Sequence, residues 1–114
     1  MVFMDKVYKA LAEVNRRKIV YWLSIGEMNV GQIEKRLEIS QATVSSHLAI
    51  LKKSGLISSR VKGKERIYKL NIEIGKSFVK ELKKLMSLPE NYNSEEIIVP
   101  VSYTHLTLPT IYSV

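Results

Sequence analysis

Small polar side chains in residues 40–53 form the first group with the chemistry to bind nucleic acid. The amide of Gln41 can donate to N7 and accept from N6 of adenine, and hydroxyl groups can bind bases or phosphates. Small neighbouring side chains would let the backbone approach base edges closely. His47, at the edge of this group, could bind phosphate as an imidazolium or pack as a neutral ring. The candidate DNA-binding residues of this group are Ser40, Gln41, Ala42, Thr43, Ser45, Ser46, His47 and Lys53.

Basic side chains form a second group, because residues 52–69 contain seven Lys and Arg residues against one acid, Glu65. Their density is highest at the turn Lys62-Gly63-Lys64. Such a turn between two strands can follow the DNA backbone or enter a minor groove without reading sequence. Taken alone, it could also be an ordinary solubilising hairpin. The candidate DNA-binding residues here are Arg60, Lys62, Lys64 and Arg66.

A helix must present the first group and a hairpin the second, and the pattern of apolar and capping residues predicts both. Apolar spacing predicts helices over residues 2–13, 16–24, 30–37, 41–54 and 74–88, and strands over 56–62 and 65–71. Asn15, Asn29 and Ser40 are the predicted N-caps, and Gly55 closes the fourth helix. The predicted fold class is mainly α with a small β-hairpin, a winged helix-turn-helix in the order α-α-α-α-β-β-α.

Composition excludes several other classes of protein. The chain carries 18 basic and 11 acidic residues, and all 18 basic ones lie between Lys6 and Lys84. A positive surface of this kind attracts polyanions such as nucleic acid. The absence of cysteine excludes disulfides and thiolate sites, and no apolar run reaches membrane-spanning length. We therefore expect a cytoplasmic protein, and since no catalytic constellation is evident, not an enzyme.

Three segments resemble the ArsR family of bacterial and archaeal repressors. Residues 10–19, Ala-Leu-Ala-Glu-Val-Asn-Arg-Arg-Lys-Ile, resemble the family's opening LADPTRRxIL, with Val14 and Asn15 in place of Pro-Thr. Residues 40–48 are similar to its recognition helix, and residues 51–57 to the helix exit that follows. The resemblance covers about residues 3–88. It implies a homodimer that packs its first and last helices across a two-fold axis and binds a double-stranded operator of two half-sites.

Apolar stripes on the two terminal helices supply the candidates for that dimer interface, although the same stripes could simply cover the core of one subunit. The candidate interface residues are Phe3, Val7, Leu11, Phe78, Leu82 and Leu85.

Many members of the family sense metals through cysteines on the third helix, or through Asp, His and Glu on the last helix. Here Gly31 and Gln32 stand where the cysteine motif would fall, and the last helix has Glu73 and Glu81 but no histidine. We therefore expect no metal site and no cofactor. The chain is more similar to the metal-independent autorepressors of the family.

The leading interpretation is a sequence-specific, autoregulatory DNA-binding repressor contained in residues 1–88. Two alternatives remain open: a winged-helix module for protein interactions, and a repressor that responds to an unidentified effector. Residues 89–114 are expected to be a linker and a tail. Because residues 101–114 resemble translated sequencing adapter, we expect that tail not to be native.

Overall fold

The computed structural model describes residues 2–92, and the side chains of residues 4–92. The helices are α1 (Val2–Leu11), α2 (Val14–Ile25), α3 (Val30–Leu37), α4 (Gln41–Ser54) and α5 (Ile72–Leu85), and the strands are β1 (Met28–Asn29), β2 (Ile57–Lys62) and β3 (Glu65–Leu70). The chain divides into two units, one through Leu82 and one from Lys83, with α5 spanning the boundary. The predicted tail lies outside the described residues. The predicted fold class, with five helices and a β-hairpin, is confirmed.

The core forms where the apolar faces of the first four helices meet the start of β2. On α4, Val44, Leu48 and Leu51 are spaced by four and three residues, which places them on one helix face, and each is at most 1% exposed. Ile19 of α2 and Ile33 of α3 are completely buried in the same cluster. This packing leaves the opposite face of α4 in solvent.

The sheet has three antiparallel strands in the order β1-β3-β2. In the hairpin, Lys62 pairs with Glu65 across a turn in which Gly63 adopts a left-handed conformation with φ of +64°. The two-residue β1, which the sequence analysis missed, pairs Met28 with Tyr68 and Asn29 with Ile67. The sheet therefore joins the hairpin to the segment between α2 and α3.

The predicted caps of α3 and α4 are confirmed. Asn29 and Gln32 form a reciprocal capping box at the start of α3. The Ser40 hydroxyl accepts from the Thr43 amide at 3.2 Å, and Gly55 ends α4 in a left-handed conformation with φ of +88°. Both ends of α4 therefore lie where the sequence predicted them.

The predicted start of α2 is wrong. Asn15 does not cap it; the helix begins at Val14, because the Glu13 carboxylate accepts from the amides of Asn15 and Arg16 at 2.9 and 3.2 Å. Accordingly, α1 ends at Leu11 rather than at residue 13.

The predicted bounds of α5 also need correction. The helix begins two residues earlier than predicted, at Ile72, and the Asn71 side chain accepts from the Ile74 amide at 3.4 Å. It ends at Leu85, before the predicted residue 88, and Ser87 has a positive φ of 57°.

Candidate nucleic-acid interface

The exposed face of α4 consists of short side chains. Val44, Leu48 and Leu51 hold the helix to the core by its other face, so the solvent side carries no long hydrophobic group near the N-terminus. The hydroxyls of Ser40 and Thr43 lie 2.8 Å apart and belong to the cap. The predicted DNA-binding residues that the structure places in solvent at this face are Ser40, Gln41, Ala42, Thr43, Ser45, Ser46 and Lys53.

The connection between α3 and α4 forms the turn of a helix-turn-helix. Glu38 ends α3 in a left-handed conformation with φ of 57°, and its amide donates to the Glu34 carbonyl at 2.9 Å. A non-glycine residue in this conformation is uncommon. It turns the chain into Ser40 within two residues, so that α4 begins directly after α3.

His47, which was also predicted to bind DNA, is less exposed than the other predicted residues of this face. Its side chain is only 13% exposed. The Nδ1 atom lies 3.2 Å from Nη1 of Arg16, and Nε2 lies 3.5 Å from the Glu13 carboxylate. The ring therefore occupies the packing position considered in the sequence analysis, between α4 and the start of α2.

The tip of the β2–β3 hairpin carries two exposed ammonium groups, on Lys62 and Lys64. Among residues 2–92, no carboxylate lies within salt-bridge distance of either group. Both charges are therefore available to a polyanion.

The two arginines of the hairpin are engaged within the chain. Arg60 donates to the Glu27 carboxylate at 2.8 Å, and this hydrogen bond lowers the pKa of Glu27 and raises the pKa of Arg60. Arg66 donates to the Ser59 hydroxyl at 3.2 Å. Arg60 thus ties the hairpin to the segment before β1. Sequence reasoning missed Glu27, because nothing in its local pattern indicates a partner 33 residues away.

The candidate dimer residues have different environments. Val7 is completely buried in the core of its own subunit and offers no surface to a second copy. Leu11, Phe78 and Leu82 are half-buried, and Leu85 is 66% exposed. The Phe3 side chain lies outside the described ones. Among the described candidates, Val7 is therefore a core residue, Leu11 and Phe78 pack against the core while remaining partly exposed, and Leu85 lies on the surface.

Helix α5 exposes more apolar surface than the sequence analysis proposed. No residue of α5 is fully buried. Ile72 and Val79, seven residues apart and so on similar sides of the helix, are 54% and 49% exposed. On α1, the hydroxyl of Tyr8 is buried and has no hydrogen-bond partner among the described residues, and its ring meets the Phe78 ring edge-on with the ring centroids 5.0 Å apart. Apolar spacing alone could have indicated this second stripe.

Two open clefts adjoin these surfaces. One, of about 320 Å³, lies between the start of α3 and the hairpin tip, and one, of about 190 Å³, is lined by Lys6, Lys9, Ile50, Lys53 and Ser54.

Within residues 2–92, no three His, Cys, Asp or Glu side chains cluster in a way that could hold a metal. None of the helices in that range is both long and apolar enough to cross a membrane.

Comparison with known proteins places this architecture in a family. Residues 13–59 match the family model described as bacterial regulatory protein, arsR family. The chain is 39% identical over 71 residues to the transcriptional repressor SdpR of Bacillus subtilis, covering 62% of this chain and 79% of that repressor.

Two solved structures extend the comparison. HlyU from Vibrio cholerae is 32% identical, with a TM-score of 0.62, over 74% of this chain and 91% of that one. A homodimeric winged helix-turn-helix DNA-binding domain from Mycobacterium bovis is 26% identical, with a TM-score of 0.63, over 80% of this chain and 88% of that one. The present chain belongs to the ArsR family of bacterial regulatory proteins.

Proposed function

We propose that the chain is a homodimeric transcriptional regulator that binds a specific DNA operator through α4. The observation that carries this proposal is the exposed face of α4, on which short polar side chains lie opposite a fully buried apolar stripe. A solvated helix without a partner more often carries Glu, Lys and Gln. A helix that must approach base pairs needs small groups that form hydrogen bonds.

In this proposal the first turns of α4 enter the major groove. Gln41 reads a base edge through its amide, and the hydroxyls of Ser45 and Ser46 bind bases or phosphates. Because Ser40 and Thr43 share the cap, their contribution is the placement of free backbone amides at the helix start, where phosphate binds favourably.

The β2–β3 hairpin acts as a wing that contacts the sugar-phosphate backbone. Lys62 and Lys64 supply the charge, since neither ammonium group has an acidic partner within the described chain. Arg60 has a different role, because its bond to Glu27 attaches β2 to the segment before β1. Arg66, on β3 of the wing, is exposed and can reach a phosphate after leaving Ser59.

The second copy packs against α5 and the adjacent part of α1. The apolar surface that α5 exposes, including Val79 and Leu85, supports this placement, because such surface is stabilising when a partner covers it. A two-fold dimer presents two copies of α4 to half-sites one helical turn apart. The operator is therefore expected to be a pseudo-palindrome.

We assign the regulatory domain to residues 1–88 and its action to the cytoplasm, where bacterial DNA lies. Repression is the proposed direction of control, since a dimer on an operator blocks access to the promoter. The relative SdpR is named a repressor, whereas HlyU is named an activator. The direction therefore needs its own measurement, a reporter driven by the promoter that contains the operator.

Binding selection from random duplex DNA with the full chain tests the proposal. We expect enrichment of one sequence with two inverted half-sites whose centres lie about 10–10.5 base pairs apart. Affinity for the enriched sequence should exceed affinity for random duplex by at least about 1,000-fold at the same salt. A pool that stays random would show that the wing and α4 serve another purpose, such as protein contacts.

A further inference from the structure

Arg16, in the first turn of α2, contacts both the end of α1 and a side chain of α4 that is 31 positions away. Its Nε donates to the Ala10 carbonyl at 2.6 Å and its Nη2 to the Lys9 carbonyl at 3.4 Å, both at the end of α1. Its Nη1 lies 3.2 Å from Nδ1 of His47 on α4. Arg17 donates to the Leu11 carbonyl at 2.7 Å, so the two arginines together bond the carbonyls of the last turn of α1.

The chemistry of these groups determines the state of the His47 ring. A guanidinium has five donors and no acceptor, so Nδ1 of His47 must accept from Arg16. In a neutral ring the proton then lies on Nε2, which faces the Glu13 carboxylate at 3.5 Å. Glu13 in turn is held by the amides of Asn15 and Arg16 as the cap of α2. Arg16 and Glu13 therefore orient the ring from both sides, and each of them is itself held by further hydrogen bonds.

We propose that His47 is a positioning residue for DNA recognition, held by Arg16 and Glu13 as the neutral Nε2–H tautomer, and not a phosphate contact. This inference rests on the proposed function of α4. His47 follows Ser46 directly in the helix, so its attachment to the ends of α1 and α2 sets the angle at which the reading face meets a groove. The buried residues Leu48 and Leu51 keep α4 in the core without it, so its loss loosens the helix orientation rather than unfolding the chain.

Three replacements of His47 in the full chain separate positioning from phosphate binding. His47→Ala should weaken specific operator binding about tenfold and leave the salt dependence unchanged. His47→Asn should restore most of the affinity, because Oδ1 can accept from Arg16 near the position of Nδ1. His47→Lys should bind the operator more weakly than the wild type despite its added charge. Wild-type affinity in His47→Ala, or tighter binding and a steeper salt dependence in His47→Lys, would overturn the assignment.

A double-variant comparison tests whether Arg16 and His47 act together in operator binding. In Arg16→Lys a single ammonium nitrogen cannot occupy the positions of Nε, Nη1 and Nη2 at once, so the contact with His47 is lost. The double variant Arg16→Lys with His47→Ala should then bind the operator hardly more weakly than either single variant. Strictly additive losses would mean that the two side chains act separately. Fluorescence of Trp22 and thermal melting, recorded for every variant, identify those that are folded.

The ring itself can be examined without DNA. Imidazole ¹⁵N chemical shifts of the free wild-type chain should identify the Nε2–H tautomer of His47, and Arg16→Lys should change them. The opposite tautomer would contradict the inference whether or not the chain binds an operator. Conversely, if the wild type selects no sequence while the tautomer is as expected, the proposed function fails and the structural assignment of the ring stands.

Discussion

Replacing both wing lysines by glutamine should change how operator binding responds to salt. Lys62 and Lys64 are exposed and have no acidic partner within residues 2–92, so each can neutralise one phosphate. Each phosphate contact contributes about 0.9 to the slope of log K against log salt. Because a homodimer carries these two lysines in each subunit, the slope for the double variant should be shallower by about 3.6. Raising the salt fourfold, from about 50 to about 200 mM, should then reduce the ratio of wild-type to variant affinity about 150-fold.

Fluorescence anisotropy with labelled operator and labelled random duplex measures both quantities. Since the wing contacts the DNA backbone, the variant's affinities for the two duplexes should fall by the same factor. The ratio of operator affinity to random-duplex affinity should therefore stay constant. Lys76→Gln with Lys84→Gln removes the same charge from α5 and should leave the slope close to that of the wild type. Equal slopes of log K against log salt for the wing variant and the wild type would refute the backbone role of the wing. A loss of affinity for only one of the two duplexes would also refute it.

Three other variants test the reading face, the dimer and the core. Ser46→Glu should lower operator affinity at least about 100-fold with unchanged melting, whereas Tyr21→Glu on α2 should leave the affinity unchanged. Specific binding that survives in the first variant would mean that α4 is misassigned. In sedimentation, Leu85→Glu should be a monomer and Tyr21→Glu on α2 should remain a dimer. A dimeric Leu85→Glu would show that α5 is not part of the dimer interface. Ser54→Ala should lose about 1–3 kcal/mol of unfolding free energy in a denaturant titration, because the buried Ser54 hydroxyl donates to the Leu51 carbonyl and accepts from the Leu56 amide. Ser77→Ala is the matched control, and equal stability of the two variants would contradict this prediction.

The elements that the sequence predicted well are those with local signals. Helix α4 has its cap, its apolar stripe and its closing glycine within residues 40–55, and each of them acts over a few residues. The same holds for the capping box of α3 and for the hairpin turn at Gly63. These features could be predicted because the interactions that form them lie next to each other in the chain.

The features that the sequence did not predict depend on distant partners. Strand β1 has only two residues, and it exists because β3 pairs with it. The contact between Arg16 and His47 crosses 31 positions. A family-like Arg-Arg pair in the sequence gave no indication of what the guanidinium groups would bind. Only the packing of α1, α2 and α4 brings these groups together.

Helix α1 shows a different limit of sequence reasoning. Its stripe predicted Val7 for a dimer interface, but Val7 lies fully inside its own subunit. Apolar spacing identifies which side of a helix is covered, and it does not say whether the cover is the same chain or a second copy. For α5, the exposure of Val79 and Leu85 shows only that residues 4–92 of the same chain leave these side chains uncovered.

Site-directed DNA cleavage tests the central claim most directly, namely that the small-residue face of α4 lies in the grooves of an operator. The chain has no cysteine, so Ser46→Cys provides a single thiol for an iron-chelate cleavage reagent. On the selected operator, we expect two symmetric clusters of cuts with centres about 10–10.5 base pairs apart, and no such cuts from the same reagent at Tyr21→Cys on α2. Absence of cutting from position 46 on a saturated operator, or equal cutting from both positions, would contradict the account.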